Sequence, residues 1–144
     1  MRIERITHAD EALVATVARL LPQLAPHRSP PDLDALRELV ANRGTHLLVA
    51  RETHDVLGML TLVLFHVPTG LRGLIHDVVV DGSARGRGIG EALTREALAI
   101  ASDSGADSVE LTTRPEREAA NRLYLRLGFE RRNTNAYVWR PAGE

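Results

Sequence analysis

The sequence predicts an α/β (α+β) fold: a mixed, mostly antiparallel central sheet flanked by about four helices. Two patterns carry that prediction. Between 46 and 81 three apolar, strand-like runs (HLLVAR, VLGMLTLVLFHV and GLIHDVVVD) are separated only by the turn-forming segments ETHD and PTGLR, which reads as an antiparallel meander. From 78 to 113 a strand, a glycine-rich loop, a helical stripe and a second strand follow one another. Such a crossover makes its two strands parallel.

The elements follow in order. Residues 2–6 (RIERI) alternate like a short strand, and Thr7 followed by Asp10 reads as the start of a helix whose stripe is Leu13, Val17, Leu20, Leu21 and Leu24. That helix should end near Pro22 to Pro26, because four prolines between 22 and 31 fit neither a helix interior nor a central strand. Asp32 opens a second helix with Leu33, Leu36 and Val40 inward, and Gly44 is placed to stop it. After the meander, Ile89, Leu93, Ala97 and Ile100 mark a helix over about 88–104 closed by Gly105. A strand is expected at 108–113, a last helix over about 116–127 between Pro115 and Gly128, and one or two final strands in FERRNTNAYVWR.

The 144 residues fit a single domain, 1–144, large enough to bury roughly 68–70% of its extended surface. A 44% hydrophobic and 26% charged composition is ordinary for a globular chain. A net charge of −1 argues against a nucleic-acid partner. A module built on Arg85, Arg87, Arg131 and Arg132 would also want more aromatic residues than two phenylalanines. With no cysteine, disulfides, thiolate metal sites and a cysteine nucleophile are excluded. The longest apolar run, Val56 to Phe65, falls short of the about 20 residues that a membrane span needs. The first residues lack the apolar stretch of a signal peptide, so no membrane association and a cytoplasmic location are expected.

The chemistry-bearing stretch is VVVDGSARGRGIG, 78–90. A loop that leaves a strand and enters a helix gathers free N–H groups and the positive end of the helix dipole, and so attracts anions. A dinucleotide fingerprint fails here because Glu91 stands at the third glycine position, and a nucleotide-hydrolase loop fails because no lysine follows the glycines. What remains is Arg85-x-x-Gly88-x-Gly90. It resembles the signature [RQ]-x-x-G-x-[GA] of the GNAT superfamily of CoA-dependent N-acetyltransferases. A second stretch, Asn121-Arg-Leu-Tyr124-Leu-Arg-Leu-Gly128-Phe129, resembles that family's N-x-L-Y-x-x-L-G-F segment and follows the loop in the family's order. The resemblance spans roughly 46–139. Helical spacing puts Ala119, Ala120, Leu123 and Leu127 on a buried stripe, with Tyr124 at its edge and Asn121 further round.

The resemblance implies an acetyltransferase that moves the acetyl group of acetyl-CoA directly to a primary amine through a tetrahedral intermediate, in a GNAT-like fold. Arg85, Gly86, Arg87, Gly88, Ile89 and Gly90 would hold the CoA pyrophosphate, and Asn121 the pantetheine arm. A backbone N–H of the strand Val78, Val79, Val80 would meet the oxyanion, and Tyr124 would protonate the departing thiolate. The base that deprotonates the amine is open among His76, Asp77 and a water chain. His76 and Asp77 alternate, so a regular strand would aim only one of them at the site. A histidine has the better reference pKa for the task. Loop 22–31 and a final hairpin near Asn133 to Trp139 would shape the acceptor side.

No metal is expected: His8, His27, His46, His54 and His66 show no ligand spacing, and the serines lack a G-x-S-x-G elbow. A small-molecule amine is the favoured acceptor, with a protein N-terminus or lysine, or a noncatalytic acyl-CoA-binding domain, as alternatives. The acceptor, the acyl-chain preference and the oligomeric state are not legible, a homodimer being the commonest assembly.

Overall fold

In a computed structural model that describes residues 1–142, the chain forms two compact units, one from Met1 to Thr112 and the other from Thr113 on. The first unit holds a five-stranded sheet in sequential order: β1 (Arg2–Arg5), β2 (Thr45–Glu52), β3 (Asp55–Val67), β4 (Gly70–Val80) and β5 (Ser108–Glu110). The first four strands pair antiparallel and β5 joins β4 in parallel, so the mixed, mostly antiparallel sheet read from the sequence is what forms. Among the described residues no helix is long and apolar enough to cross a membrane.

Helices α1 (Glu11–Leu20) and α2 (Leu33–Ala41) begin where short acidic side chains cap them. Asp10 accepts a hydrogen bond from the Leu13 N–H and Asp32 one from the Ala35 N–H, each occupying a donor that the first helical turn leaves without an intrahelical partner. The apolar stripe Leu13, Val17 and Leu20 of α1, with Leu36 of α2, packs on Leu47, Val49, Met59 and Val79 of the sheet. The alternate residues Leu48, Leu60 and Leu62 are equally buried and face the other way. That second face meets α3 (Ile89–Asp103), whose Leu93 and Ala97 are fully enclosed. Contact is closest at Gly58, where a Cβ would stand 2.9 Å from the Val79 carbonyl oxygen and 3.1 Å from Ile89 Cγ2.

Gly44 does not stop α2. The helix ends at Ala41 with Asn42 as its C-cap, and the Gly44 carbonyl accepts a bond from the Leu64 N–H at 2.7 Å. The residue is small because the Leu64 carbonyl oxygen lies where its Cβ would be.

The second unit holds α4 (Glu118–Arg126). Its most buried residue is Tyr124, at 7% exposure, while Ala119 is exposed and Ala120, Leu123 and Leu127 are half-buried. The aromatic ring therefore occupies the centre of the buried face and not its edge. The strand expected at 108–113 is confined to Ser108–Glu110, and residues 129–140 form no strand. Their run Glu130-Arg-Arg-Asn-Thr-Asn135 offers no apolar face to bury, and Tyr137 and Trp139 are 90% and 83% exposed. A strand needs a ladder partner as well as propensity.

Candidate active site

The site builds outward from the end of β4. Its ladder with β5 covers only Arg72↔Ser108, Gly73↔Val109 and Leu74↔Glu110, so β4 runs on from Ile75 to Val80 without a β5 partner. On its other edge the register against β3 slips: His76 faces Thr61 and Val79 faces Met59. Thr61 and Met59 are two residues apart and share one face of the sheet, so their partners share it as well. His76 and Val79, three residues apart, can do so only because β4 carries one extra residue. The extra residue is a β-bulge, and Asp77 within it adopts φ +52°, a left-handed conformation uncommon outside glycine. The alternation expected of His76 and Asp77 is thereby broken, and both side chains are exposed.

Beyond Val80 the chain makes one tight turn, Gly82–Ala84, capped by Asp81. Gly86 (φ +80°) and Gly88 (φ +77°) are both left-handed, and a Cβ on either would meet nothing within 4 Å. Their smallness is therefore a backbone requirement, and the space beside them is open. Gly88 is the N-cap of α3 and supplies no side-chain cap, so the helix starts with its N–H groups turned to that space. Ile89 is buried and anchors the first turn. Arg85 is exposed and has no partner among the described residues, whereas Arg87 pairs with Glu52 at the end of β2. Together the two left-handed glycines, the uncapped helix start and Arg85 fit a diphosphate group by charge and donor chemistry.

Sequence reading did not find what holds this loop. The Arg19 guanidinium on α1 pairs with Asp81 through Nη1 and donates from Nη2 to the Val56 carbonyl at 2.7 Å. Gln23 accepts from the Gly82 N–H at 2.9 Å and donates to the Arg19 carbonyl at 3.3 Å. Hydrogen bonds from the Ser83 N–H and hydroxyl, with Arg19 close by, hold the Asp81 carboxyl below the usual range. The D-G-S triplet signals a capped turn, but nothing local marks residues some sixty positions earlier as its partners.

In the second unit, burial pushes the Tyr124 hydroxyl above its usual pKa, outweighing the opposing pull of Arg117. The group is thus a neutral O–H throughout the physiological range. Its ring packs edge-on against Phe129 with centroids 5.6 Å apart, and the Phe129 N–H bonds the Tyr124 carbonyl. Asn121 spends its amide donors within its own neighbourhood: Nδ2 reaches the carbonyls of Arg114 at 3.0 Å and Arg117 at 2.8 Å. Only its Oδ1 is left to offer elsewhere. Among the described residues no three histidine or carboxylate groups gather as a metal site would require.

A sequence model described as the acetyltransferase (GNAT) family matches residues 13–129, and the chain belongs to that family. N-acetyltransferase 8B of Rattus norvegicus is 32% identical over 116 residues, which are 76% of this chain and 51% of that protein. The aminoalkylphosphonate N-acetyltransferase of Salmonella typhimurium is 31% identical over 126 residues, 86% of this chain and 80% of that protein. The chain spans about half, or less, of the length of several curated relatives that it matches. An aminoglycoside acetyltransferase from an uncultured soil metagenomic sample superposes with a TM-score of 0.85 at 19% identity, over 97% of this chain and 95% of its own, and has the same fold. The resemblance first seen in two short motifs thus extends over most of the chain.

Proposed function

We propose that the chain is an N-acetyltransferase that carries the acetyl group of acetyl-CoA to the primary amine of a small molecule. The observation that carries this reading is the start of α3: two left-handed glycines leave an uncapped helix N-terminus facing open space, immediately after a strand that outruns its β5 ladder. Gly86 to Gly90 and Arg85 would hold the pyrophosphate. Arg87 is already paired with Glu52 and would serve more to fix the loop than to meet the ligand. The relation to an aminoalkylphosphonate N-acetyltransferase over most of both chains favours a small amine.

Bound acetyl-CoA supplies an activated thioester; the residues of this chain supply position and protons. A backbone N–H within Val78–Val80, on the stretch of β4 that β5 does not pair, would donate to the carbonyl oxygen as it gains negative charge. His76, on the bulged strand, would accept the amine proton, with Asp77 beside it to hold a cationic acceptor before reaction. Tyr124, kept protonated by burial, would give its hydroxyl proton to the leaving sulfur. Asn121 would accept a hydrogen bond from the pantetheine amide through Oδ1.

Calorimetry with acetyl-CoA and CoA, followed by thiol release in the presence of small primary amines, tests the reading. Binding with amine-dependent thiol release is expected. A folded protein that binds neither nucleotide would sink it, and binding without release on any amine would point to a noncatalytic acyl-CoA domain.

A further inference from the structure

We infer that Arg19, Gln23 and Asp81 form a brace that positions the loop Gly82–Gly90 for acetyl-CoA, so that α1, far away in sequence, sets the affinity of the nucleotide site. The inference rests on the function proposed for that loop. A loop with two left-handed glycines has many conformations open to it, and only one of them aims the α3 N–H groups and Arg85 at a single anion. Something must select that conformation before the ligand arrives, or binding bears the cost of ordering the loop.

Its far end is fixed by the buried Ile89. At its near end, Asp81 caps the first turn through the Ser83 N–H at 3.1 Å, and its own N–H bonds the Leu57 carbonyl at 2.8 Å. Arg19 then joins three elements at once: its guanidinium spans Asp81 and the Val56 carbonyl, and a two-pronged guanidinium fixes direction as well as distance. Gln23, one turn further along, takes the Gly82 N–H at 2.9 Å, the first amide of the loop. All three side chains act on the loop and not on a reacting atom; they are positioning residues.

The test compares wild type with Gln23→Ala, Arg19→Ala, Asp81→Asn and the double variant Arg19→Ala/Asp81→Asn, using three readouts: acetyl-CoA dissociation constant, amide hydrogen exchange over 82–90 in the ligand-free protein, and melting temperature. We expect about fivefold weaker binding for Gln23→Ala and about tenfold for Arg19→Ala, the scale of one hydrogen bond to a charged partner. Exchange should quicken over 82–90 while amides of β2 and β3 keep their protection. The double variant should be no worse than Arg19→Ala alone, since both break one linkage. Gln23 is exposed near the end of its helical segment, so Gln23→Ala keeps the question answerable if Arg19→Ala fails to fold. Unchanged binding and unchanged 82–90 exchange in Gln23→Ala and Asp81→Asn would overturn the brace, as would a uniform rise in exchange tracking melting temperature. If wild type bound no acetyl-CoA, the function would fall, and the exchange data alone would judge the brace.

Discussion

Substitutions at Gly88 should separate the conformational from the electrostatic role of the loop, because the two predict opposite orders. At φ +77° any L side chain is strained, by about 1–2 kcal/mol for alanine, less the about 0.4–1 kcal/mol by which a non-glycine stiffens the unfolded chain. A Cβ there meets nothing within 4 Å, so no steric term is added. Gly88→Ala should thus lose about 1 kcal/mol of stability and bind acetyl-CoA somewhat more weakly. Gly88→Glu carries the same backbone strain, but its carboxylate sits at the positive end of α3 and recovers about 0.3–1 kcal/mol. In the free protein Glu should therefore be at least as stable as Ala. Toward a phosphate the same carboxylate is repulsive: at about 5 Å and an effective dielectric of about 20, each pair of unit charges is worth about 3 kcal/mol, more than a hundredfold in affinity. Urea unfolding should rank the variants Gly, Glu, Ala, and calorimetry should rank them Gly, Ala, Glu. Added salt should narrow the gap between Ala and Glu. Equal acetyl-CoA affinity in Gly88→Glu and Gly88→Ala would show that no phosphate approaches Gly88 and would refute the placement of the pyrophosphate.

Three further outcomes follow from the geometry. Tyr124→Phe should leave acetyl-CoA affinity nearly intact but lower kcat about 10²–10⁴-fold, and the raised pKa of Tyr124 places its alkaline limb above pH 10; a wild-type kcat in the variant would remove the tyrosine from the reaction. Gly58→Ala sets a Cβ 2.9 Å from the Val79 carbonyl oxygen, 3.1 Å from Ile89 and 3.2 Å from Leu93, a clash that a rotamer change cannot relieve. It should destabilise by about 1–3 kcal/mol and lower the melting temperature by about 3–10 °C, and a shift under 1 °C would contradict the close approach of α3 to the sheet. His46 is 9% exposed with Nδ1 unpartnered among the described residues, and burial, then Arg5, lowers its pKa. Its folded value lies below the unfolded one of about 6.5, so the unfolded chain binds the extra proton and stability falls as pH drops below that value. For one group the slope cannot exceed about 1.4 kcal/mol per pH unit; His46→Phe should flatten the stability profile as pH falls below about 6.5, and parallel profiles would exclude the histidine.

The sheet was legible because its strands carry their own punctuation: ETHD and PTGLR bound three apolar runs, and the helix after the glycines has an unbroken stripe from Ile89 to Ile100. Asp32 could be read as the start of α2 because capping is local, with the partner N–H three residues on; for α1 the pair Thr7 and Asp10 marks the right place, but the cap is Asp10 and the helix starts at Glu11. Residues 129–140 misled because aromatic and β-branched side chains signal strand propensity while saying nothing about a ladder partner. Tyr124 was placed at an edge because a helical wheel ranks positions by the apolar residues around them; one large ring at the centre of a half-polar helix defeats that count. The brace was invisible for another reason. Arg19 and Asp81 are 62 positions apart, and either one alone reads as a solvated surface charge.

The bulge in β4 shows how a register shift can make a site. In a regular strand the side chains of His76 and Val79, three residues apart, would point to opposite faces. One extra residue near Asp77 restores the shared face, and a bulge of this kind adds local right-handed twist. The bulge lies just beyond the point where β5 ends and the parallel ladder stops, at Leu74↔Glu110, and β4 continues without that ladder to Val80. The left-handed conformation of Asp77 goes with the bulge that sets this shared face. Asp77→Gly, which relaxes φ +52° without filling space, should preserve the fold, whereas deleting residue 77 should keep His76 opposite Thr61 and Val79 opposite Met59 at a regular two-residue spacing, so that both stay on one face while the bulge and its added twist are lost.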